Sequence, residues 1–144
     1  MLAATATVRD ASRSRARALC AAGGAAAAAI AWSIEVPLLG IKLAVRFGGM
    51  HPQTIAAGQV VGIALAAGLL GWLVLAGLER RATRPRATWT GTALFVLVVS
   101  LALPLAAATT TSAAVGLIVL HLCVGAAVIP AMAGTARPRP RSRA

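Results

Sequence analysis

Four long stretches of the sequence carry almost no charge, and they constrain the fold more than any other feature. They cover residues 18–39, 54–78, 88–106 and 112–133, and each is about as long as the roughly 20-residue helix that crosses the hydrocarbon core of a bilayer. Of the 144 residues, 59% are hydrophobic and only 12% are charged, which is more apolar material than one soluble core of this size can enclose. The sequence therefore predicts an all-α integral membrane protein, a bundle of four transmembrane helices. We number these stretches spans 1 to 4.

Two tails flank the predicted membrane domain of residues 18–133. Residues 1–17 are rich in arginine and have few large apolar side chains, so we expect a basic, frayed lead-in. Residues 134–144 alternate proline with arginine, a pattern that forbids a helix and indicates a solvated tail.

A basic segment before an apolar run is also typical of a cleavable signal peptide. Retention as the first membrane helix is the preferred interpretation, because no clean cleavage site followed by soluble sequence is present.

The distribution of Lys and Arg predicts the orientation of the bundle. The N-terminal tail, the link between spans 2 and 3, and the C-terminal tail carry four each, whereas the link after span 1 carries two and the link after span 3 carries none. Basic residues stay on the cytoplasmic side of a membrane. We therefore expect both termini inside (N-in/C-in) and a multi-pass protein of the cytoplasmic cell membrane.

The formal net charge of +11 would suggest nucleic-acid binding in a soluble protein. Here the arginines cluster beside apolar spans, where setting the topology already explains them, so we predict no nucleic-acid partner. The same clusters are candidate sites for anionic lipid headgroups. The predicted partners are the lipid bilayer and, as candidates, a second copy of the chain or another membrane protein.

Three polar residues are the candidate functional or helix-packing residues. His121 lies near the centre of span 4, where a polar side chain is costly and should face protein; an interhelical hydrogen bond is preferred over a functional role such as proton relay. Glu35 and Gln59 lie at similar depths near the ends of spans 1 and 2, so they are close enough in depth to meet. The preferred interpretation is that Glu35 reaches the headgroups or pairs with Lys42 or Arg46.

Helical spacing predicts which faces pack inside the bundle. Gly58, Gly62 and Ala66 form a ridge of small residues on span 2, where another backbone is expected to approach closely. One face of span 4 is the candidate interior. That face contains Ala114, Ile118, His121, Gly125 and Val128.

The links between the spans carry local signals of their own. Residues 40–53 alternate apolar and basic side chains before a Gly/Pro break, which indicates a short extended piece or an interfacial loop. Trp89 opens span 3, where an aromatic ring suits the headgroup boundary. The hydroxyl-rich link before span 4 is expected to cap that helix, and the candidate N-cap residues are Thr110, Thr111 and Ser112.

No motif in the sequence names a reaction. There is no nucleophile context, glycine-rich phosphate loop or zinc-ligand spacing, and Cys20 and Cys123 are too far apart in sequence for a C-x-x-C motif. We therefore predict no catalytic residue, no metal and no cofactor. The preferred hypothesis is a non-enzymatic membrane protein that acts through lipid or protein partners, and the alternative is a small transporter or proton-coupled carrier that uses His121.

Several short motifs lie along the apolar spans and their ends, namely Glu79-Arg80, Trp89-Thr90, Ser100-Leu101, Pro104-Leu105, His121-Leu122 and Ile129-Pro130. Taken together they resemble an uncharacterised actinobacterial family of small four-helix membrane proteins, catalogued as domain of unknown function 6069. The resemblance covers about residues 18–133 and implies four helices in a bacterial inner membrane. It implies no established activity, and it singles out His121 and Pro104.

Overall fold

The structure, a computed structural model, describes residues 2–137, with side chains from residue 11 onward. Most of the predicted C-terminal tail, residues 138–144, lies outside the described residues. Helices dominate, with one π-helical turn and two short strands between the first two long helices. In chain order the elements are α1 (Leu2–Ser33), the π turn (Ile34–Leu38), β1 (Ala44–Val45), β2 (Gln53–Thr54), α2 (Ala57–Arg81), α3 (Pro85–Ser100), α4 (Ala102–Ala107) and α5 (Thr111–Thr135).

Four helical segments within the described residues are long and apolar enough to cross a membrane. They are Ala11–Leu38, Ala57–Arg81, Pro85–Ala107 and Thr111–Thr135. Large apolar side chains on their outer faces are exposed, such as Leu73 and Phe95, each 69% exposed. Hydrocarbon outside the bundle makes this arrangement favourable, whereas water would not. The prediction of four helices long and apolar enough to span a membrane is confirmed.

The first and third spans differ in detail from the prediction. Residues 2–17 continue α1 without a break instead of forming a frayed lead-in, because alanine and arginine are strong helix formers. The third span is divided at Leu101 into α3 and α4. Pro104 lies in the first turn of α4 and has no N–H to donate back along the chain, which is consistent with a break at this point.

Helices α1 and α5 form the centre of the bundle: α1 packs along α2 and α5, and α3 packs mainly on α5. The buried side chains divide into two clusters. One, at the arginine-rich end, includes Ala21, Leu75, Trp89 and Met132. The other lies at the opposite end, and its buried members are Ala31, Leu43, Val45, Ala107, Leu117 and Leu120.

A small β-hairpin covers the end of the bundle opposite the arginine clusters. Strands β1 and β2 pair antiparallel, and the N–H of Arg46 donates to the carbonyl of Ala107 (2.8 Å) while that of Thr109 donates to Ala44 (3.1 Å). The indole of Trp32 donates to the carbonyl of Ile55 at 3.2 Å. We call residues 41–55 the hairpin cap. The hairpin cap contains the short extended piece that the sequence predicts. Its hydrogen bonds link the connection between α1 and α2 to the connection between α4 and α5.

The packing of small residues on α2 differs from the prediction. Gly58, Gly62 and Ala66 are exposed, and a Cβ added at Gly58 or Gly62 would meet nothing within 4 Å. The close approach occurs instead at Gly68, where an added Cβ would lie 2.8 Å from the Cα of Ala21. The predicted ridge was therefore wrong, because α2 turns a different small-residue face toward α1.

Two other expectations for aromatic and capping residues have mixed outcomes. Trp89 is buried at 4% exposure instead of lying at a headgroup boundary, and its indole donates to the carbonyl of Ile129 at 3.1 Å. Thr110, one of the three candidates, is the N-cap of α5, and its Oγ1 accepts a hydrogen bond from the N–H of Ala113 at 3.1 Å.

The interior face of α5 includes Gly125 and Val128 as expected. It is rotated so that it also contains Ala113, Gly116, Leu117, Leu120, Met132 and Ala133.

Candidate functional site

A crevice of about 590 Å³ lies between α2, α4 and α5, next to the hairpin cap. Its walls are mostly apolar, and Ile63 and Leu103 on its rim are 69% and 57% exposed. The crevice therefore opens sideways, toward the surface that faces lipid. Its volume lies within the range of roughly 300–1,000 Å³ that is usual for small-molecule sites. Four polar side chains line it, namely Gln53, Thr54, Gln59 and His121.

The side chain of His121 lines this crevice. Its Nδ1 lies 2.6 Å from the carbonyl oxygen of Leu117, one turn back along α5. Because a carbonyl only accepts, Nδ1 carries the proton of this bond, and Nε2 of the neutral ring is then an acceptor. No described residue donates to Nε2. The sequence predicted a hydrogen bond between helices, but this bond runs within α5. It fixes the orientation of the ring and leaves Nε2 as an acceptor.

Gln59 contributes a donor to the same crevice. Its Oε1 accepts from the backbone N–H of Ala56 at 2.9 Å, which caps the start of α2. The amide NH₂ of the side chain remains available, because an amide has two donors besides its carbonyl. Gln59 therefore lines the crevice together with His121. It forms no hydrogen bond with Glu35, so the less favoured alternative, in which these two side chains meet, is not observed.

Glu35 lies in the π turn at the end of the first span and is only 5% exposed. Its carboxyl group faces Gly116 of α5, and neither oxygen has a hydrogen-bond partner among the described residues. Lys42 and Arg46 are exposed and form no ion pair with it. The expected headgroup contact or pairing of Glu35 was therefore wrong, since the π turn directs its carboxyl group into the bundle.

The arginine-rich end of the bundle contains an ionic contact that the sequence interpretation missed. Nη2 of Arg17 lies 2.7 Å from Oε1 of Glu79, and Nε of Arg17 donates to Oγ1 of Thr135 at 3.1 Å. The backbone N–H of Arg137 donates to the same Glu79 oxygen at 2.7 Å. These bonds join α1, α2 and the end of α5. The available signal was that Arg17 and Glu79 each lie next to an apolar span on the same predicted side of the membrane.

The described side chains offer little chemistry beyond these contacts. No three His, Cys, Asp or Glu residues in that part of the chain lie close enough together to hold a metal ion. Cys20 and Cys123 are free thiols at different positions in the bundle. Besides Gln53 and Thr54 of the hairpin cap, the polar side chains that line the crevice are thus those of Gln59 and His121, in walls that are otherwise apolar.

One comparison with known proteins gives a match. No curated protein and no protein of solved structure is similar enough to the chain to match it. The family described as "Family of unknown function (DUF6069)" matches residues 8–138, which is most of the chain. The match includes all four apolar helices, the crevice and the hairpin cap. The chain therefore belongs to DUF6069, a family of unknown function.

Proposed function

We propose that this protein is a non-enzymatic, multi-pass membrane protein that binds one lipid-soluble molecule in the crevice between α2, α4 and α5. The observation that carries the proposal is the position of the crevice, which opens to the membrane-facing surface through the exposed rim residues Ile63 and Leu103. The hydrocarbon core of a bilayer holds almost no water, so lipid chains or an apolar ligand fill a space that opens to it. A ligand dissolved in the membrane has direct access to it.

The polar atoms in the crevice indicate what the ligand must carry. Nε2 of His121 accepts a hydrogen bond, and the amide of Gln59 donates one. A long-chain molecule with a hydroxyl group satisfies both the apolar walls and the acceptor on His121. A hydrogen bond of this kind contributes about 1 kcal/mol, which corresponds to roughly a fivefold change in affinity.

A photoreactive long-chain alcohol carrying a diazirine is the probe that tests this proposal. The protein in lipid nanodiscs is labelled by illumination, and the modified residues are identified by mass spectrometry. Gly62→Leu fills the crevice, whereas Gly77→Leu is the matched control: both glycines lie on α2, and an added Cβ meets nothing within 4 Å at either. We expect saturable labelling of crevice residues in the wild type and in Gly77→Leu, and its loss in Gly62→Leu. Equal labelling of all three proteins would contradict the proposal.

His121→Phe tests the polar part of the site separately. We expect about fivefold weaker labelling by the alcohol, because the acceptor is lost while the ring volume is kept. The methyl ether of the same probe has no hydroxyl donor, so its labelling should not change. A loss of equal size for both probes would show that the ring acts through shape and not through hydrogen bonding.

The second candidate function is a small transporter or proton-coupled carrier that uses His121. The observation that favours it is the free Nε2 of His121 in the crevice wall. Proton flux into proteoliposomes, followed with an enclosed pH-sensitive dye, is the measurement. A flux that His121→Phe abolishes while the protein stays folded would support the carrier, and the absence of flux in the wild type would exclude proton-coupled carriage.

The orientation and the surroundings of the protein form part of the same proposal. We place both termini in the cytoplasm and the protein in the cytoplasmic membrane of an actinobacterium, where Arg80, Arg81, Arg84 and Arg86 contact anionic headgroups. These four residues are exposed at one end of the bundle. In intact cells that express the protein without its native cysteines, an impermeant thiol reagent should label a cysteine placed at Gly49 and leave one placed at Thr83 unlabelled.

A second copy of the chain or another membrane protein is a further candidate partner on the exposed apolar faces.

A further inference from the structure

Glu35 is the most unusual buried group among the described residues, and the crevice does not use it. It is 5% exposed, and both of its carboxyl oxygens lack a hydrogen-bond partner. A buried charge without a partner is costly, and an ionisable residue within a membrane span is rare unless it has a role. The arrangement around Glu35 therefore calls for a ligand that the carboxyl group binds.

The backbone that positions Glu35 is itself irregular. The residue lies in the π turn with Pro37, and the N–H of Leu39 donates to the carbonyl of Ile34, five residues back. Single π turns inside α-helices are rare and occur frequently at functional sites. The extra residue in this turn changes the direction of the side chains that follow, and it brings the Glu35 carboxyl group onto α5.

The carboxyl group occupies a notch on α5 that exists because residue 116 is glycine. A Cβ added at Gly116 would lie 3.1 Å from Oε2 of Glu35 and 2.7 Å from Cδ2 of Leu43. Leu43 is fully buried and belongs to the hairpin cap, so the cap covers the same notch. Oε2 of Glu35 and Cδ2 of Leu43 therefore adjoin the same small space beside the α5 backbone.

No neighbouring group neutralises this carboxyl group. The titratable groups on the elements packed around it are His121 and Cys123 of α5 and Lys42, Arg46 and His51 of the hairpin cap. The three cap residues are exposed, and the ring of His121 is bonded to its own helix. Within the described residues the recorded ion pair joins Arg17 to Glu79, at the other end of the bundle.

The same surroundings do not suit a metal ion. A hard cation takes several oxygen ligands, whereas the Glu35 oxygens have no polar partner among the described residues and an aliphatic carbon, Cδ2 of Leu43, adjoins the same space beside Gly116. No cluster of three potential metal-ligating side chains is found in the described part of the chain. A proton neutralises a carboxylate without any further ligand.

We propose that Glu35 is a proton-binding site, and that the bound proton holds the hairpin cap closed over it. In the acid form the group is neutral and fits the notch beneath Leu43. Loss of the proton leaves a carboxylate that must gain water or a cation. The carboxylate gains such a partner when the hairpin cap moves away from α5, because the cap separates the notch from the membrane surface.

Carbodiimide labelling tests the first half of this proposal. Dicyclohexylcarbodiimide is apolar and reacts with the acid form of a carboxyl group. We expect one adduct on Glu35 in the full chain in nanodiscs, and a yield that falls by roughly tenfold per pH unit on the alkaline side of the titration. Glu35→Gln should abolish the adduct, and Glu79 should remain unlabelled because it is paired with Arg17. A Glu35 that reacts only after denaturation, or with a yield independent of pH, would overturn the proposal.

Hydrogen exchange tests the second half. The amides of Arg46 and Thr109 bond across the junction between the cap and the α4–α5 link, so they report cap opening. Glu35→Gln is neutral at every pH and serves as the matched control for the intrinsic pH dependence of exchange. We expect the ratio of wild-type to Glu35→Gln exchange at these amides to rise with pH. A ratio that stays constant from pH 5 to 9 would refute the coupling to the cap.

A variant of the cover provides an independent readout that does not depend on Glu35→Gln folding. Leu43→Ala removes the aliphatic side chain that lies over the notch. A water-soluble carbodiimide should then label Glu35 in the variant, while it leaves Glu35 of the wild type unmodified at low pH. Equal labelling of the two proteins would show that Leu43 does not cover the carboxyl group.

Discussion

The contact between α1 and α2 depends on the absence of a side chain at Gly68, and this dependence gives a quantitative prediction. A Cβ added there would lie 2.8 Å from both the Cα and the Cβ of Ala21. Carbon atoms pack best at about 3.5–4.0 Å, so the new methyl group would be roughly 0.7 Å too close. Both contacted atoms belong to a rigid backbone or its first side-chain atom, so no rotamer change relieves the clash. The helices must move apart.

The expected magnitude follows from two opposing terms. Overpacking of this kind costs about 1–3 kcal/mol. Replacing glycine by alanine within a helix contributes about 0.5–1 kcal/mol in the other direction. Gly68→Ala should therefore lower the free energy of unfolding by about 0–2.5 kcal/mol. Gly77→Ala, on the same helix with nothing within 4 Å of an added Cβ, should raise it by about 0.5–1 kcal/mol.

The difference between the two variants isolates the packing term, because both gain the same helix propensity. The assay is reversible unfolding in mixed detergent micelles, with increasing sodium dodecyl sulfate and helix content followed by circular dichroism. We expect Gly68→Ala to be less stable than Gly77→Ala by about 1–3 kcal/mol. Equal stabilities would mean that α1 and α2 do not approach closely at Gly68, and the packing described for the centre of the bundle would be refuted.

Three further predictions concern single contacts, each measured in the same unfolding assay. Arg17→Ala should cost about 2–4 kcal/mol, because it leaves the partly buried Glu79 without its cation, whereas Arg15→Ala on the exposed face should change stability by no more than about 0.5 kcal/mol. Trp89→Phe should cost about 1 kcal/mol or more, since the buried indole loses its hydrogen bond to the α5 backbone; an unchanged stability would contradict that bond. Thr110→Ala should cost about 1 kcal/mol through loss of the α5 N-cap, and a neutral effect would argue against capping.

The four spans could be predicted from the sequence because run length and lack of charge are sufficient for membrane crossing. The packed faces could not, because small residues occur on several faces of each helix. On α2, Gly58 and Gly62 have the same type of spacing as Ala64 and Gly68, and only the helix opposite decides which pair is buried. Sequence periodicity carries no information about that partner, since every face of such a helix is apolar.

The sequence singles out the polar residues His121, Gln59 and Glu35, but it does not predict their contacts. His121 was expected to face protein, yet a carbonyl of its own helix, that of Leu117, competes with any partner on a neighbouring helix. Glu35 was expected at the headgroups because regular helical rise places it near the span end. The π turn changes the direction of its side chain, and no propensity rule marks that turn in advance.

The hairpin cap connects the two sites, because one segment covers both. Leu43 and Glu35 adjoin the same space beside Gly116, and Val45, two residues after Leu43, lines the crevice. Leu43 and Val45 belong to the same buried cluster. If the acid form of Glu35 keeps the cap closed and a ligand in the crevice requires the closed cap, each must strengthen the other by the same factor. Labelling by the diazirine alcohol, which does not titrate, should then weaken as pH rises in the wild type and stay constant in Glu35→Gln. Identical pH profiles for the two proteins would mean that the cap does not couple the sites, since nothing else in the chemistry of the probe depends on pH.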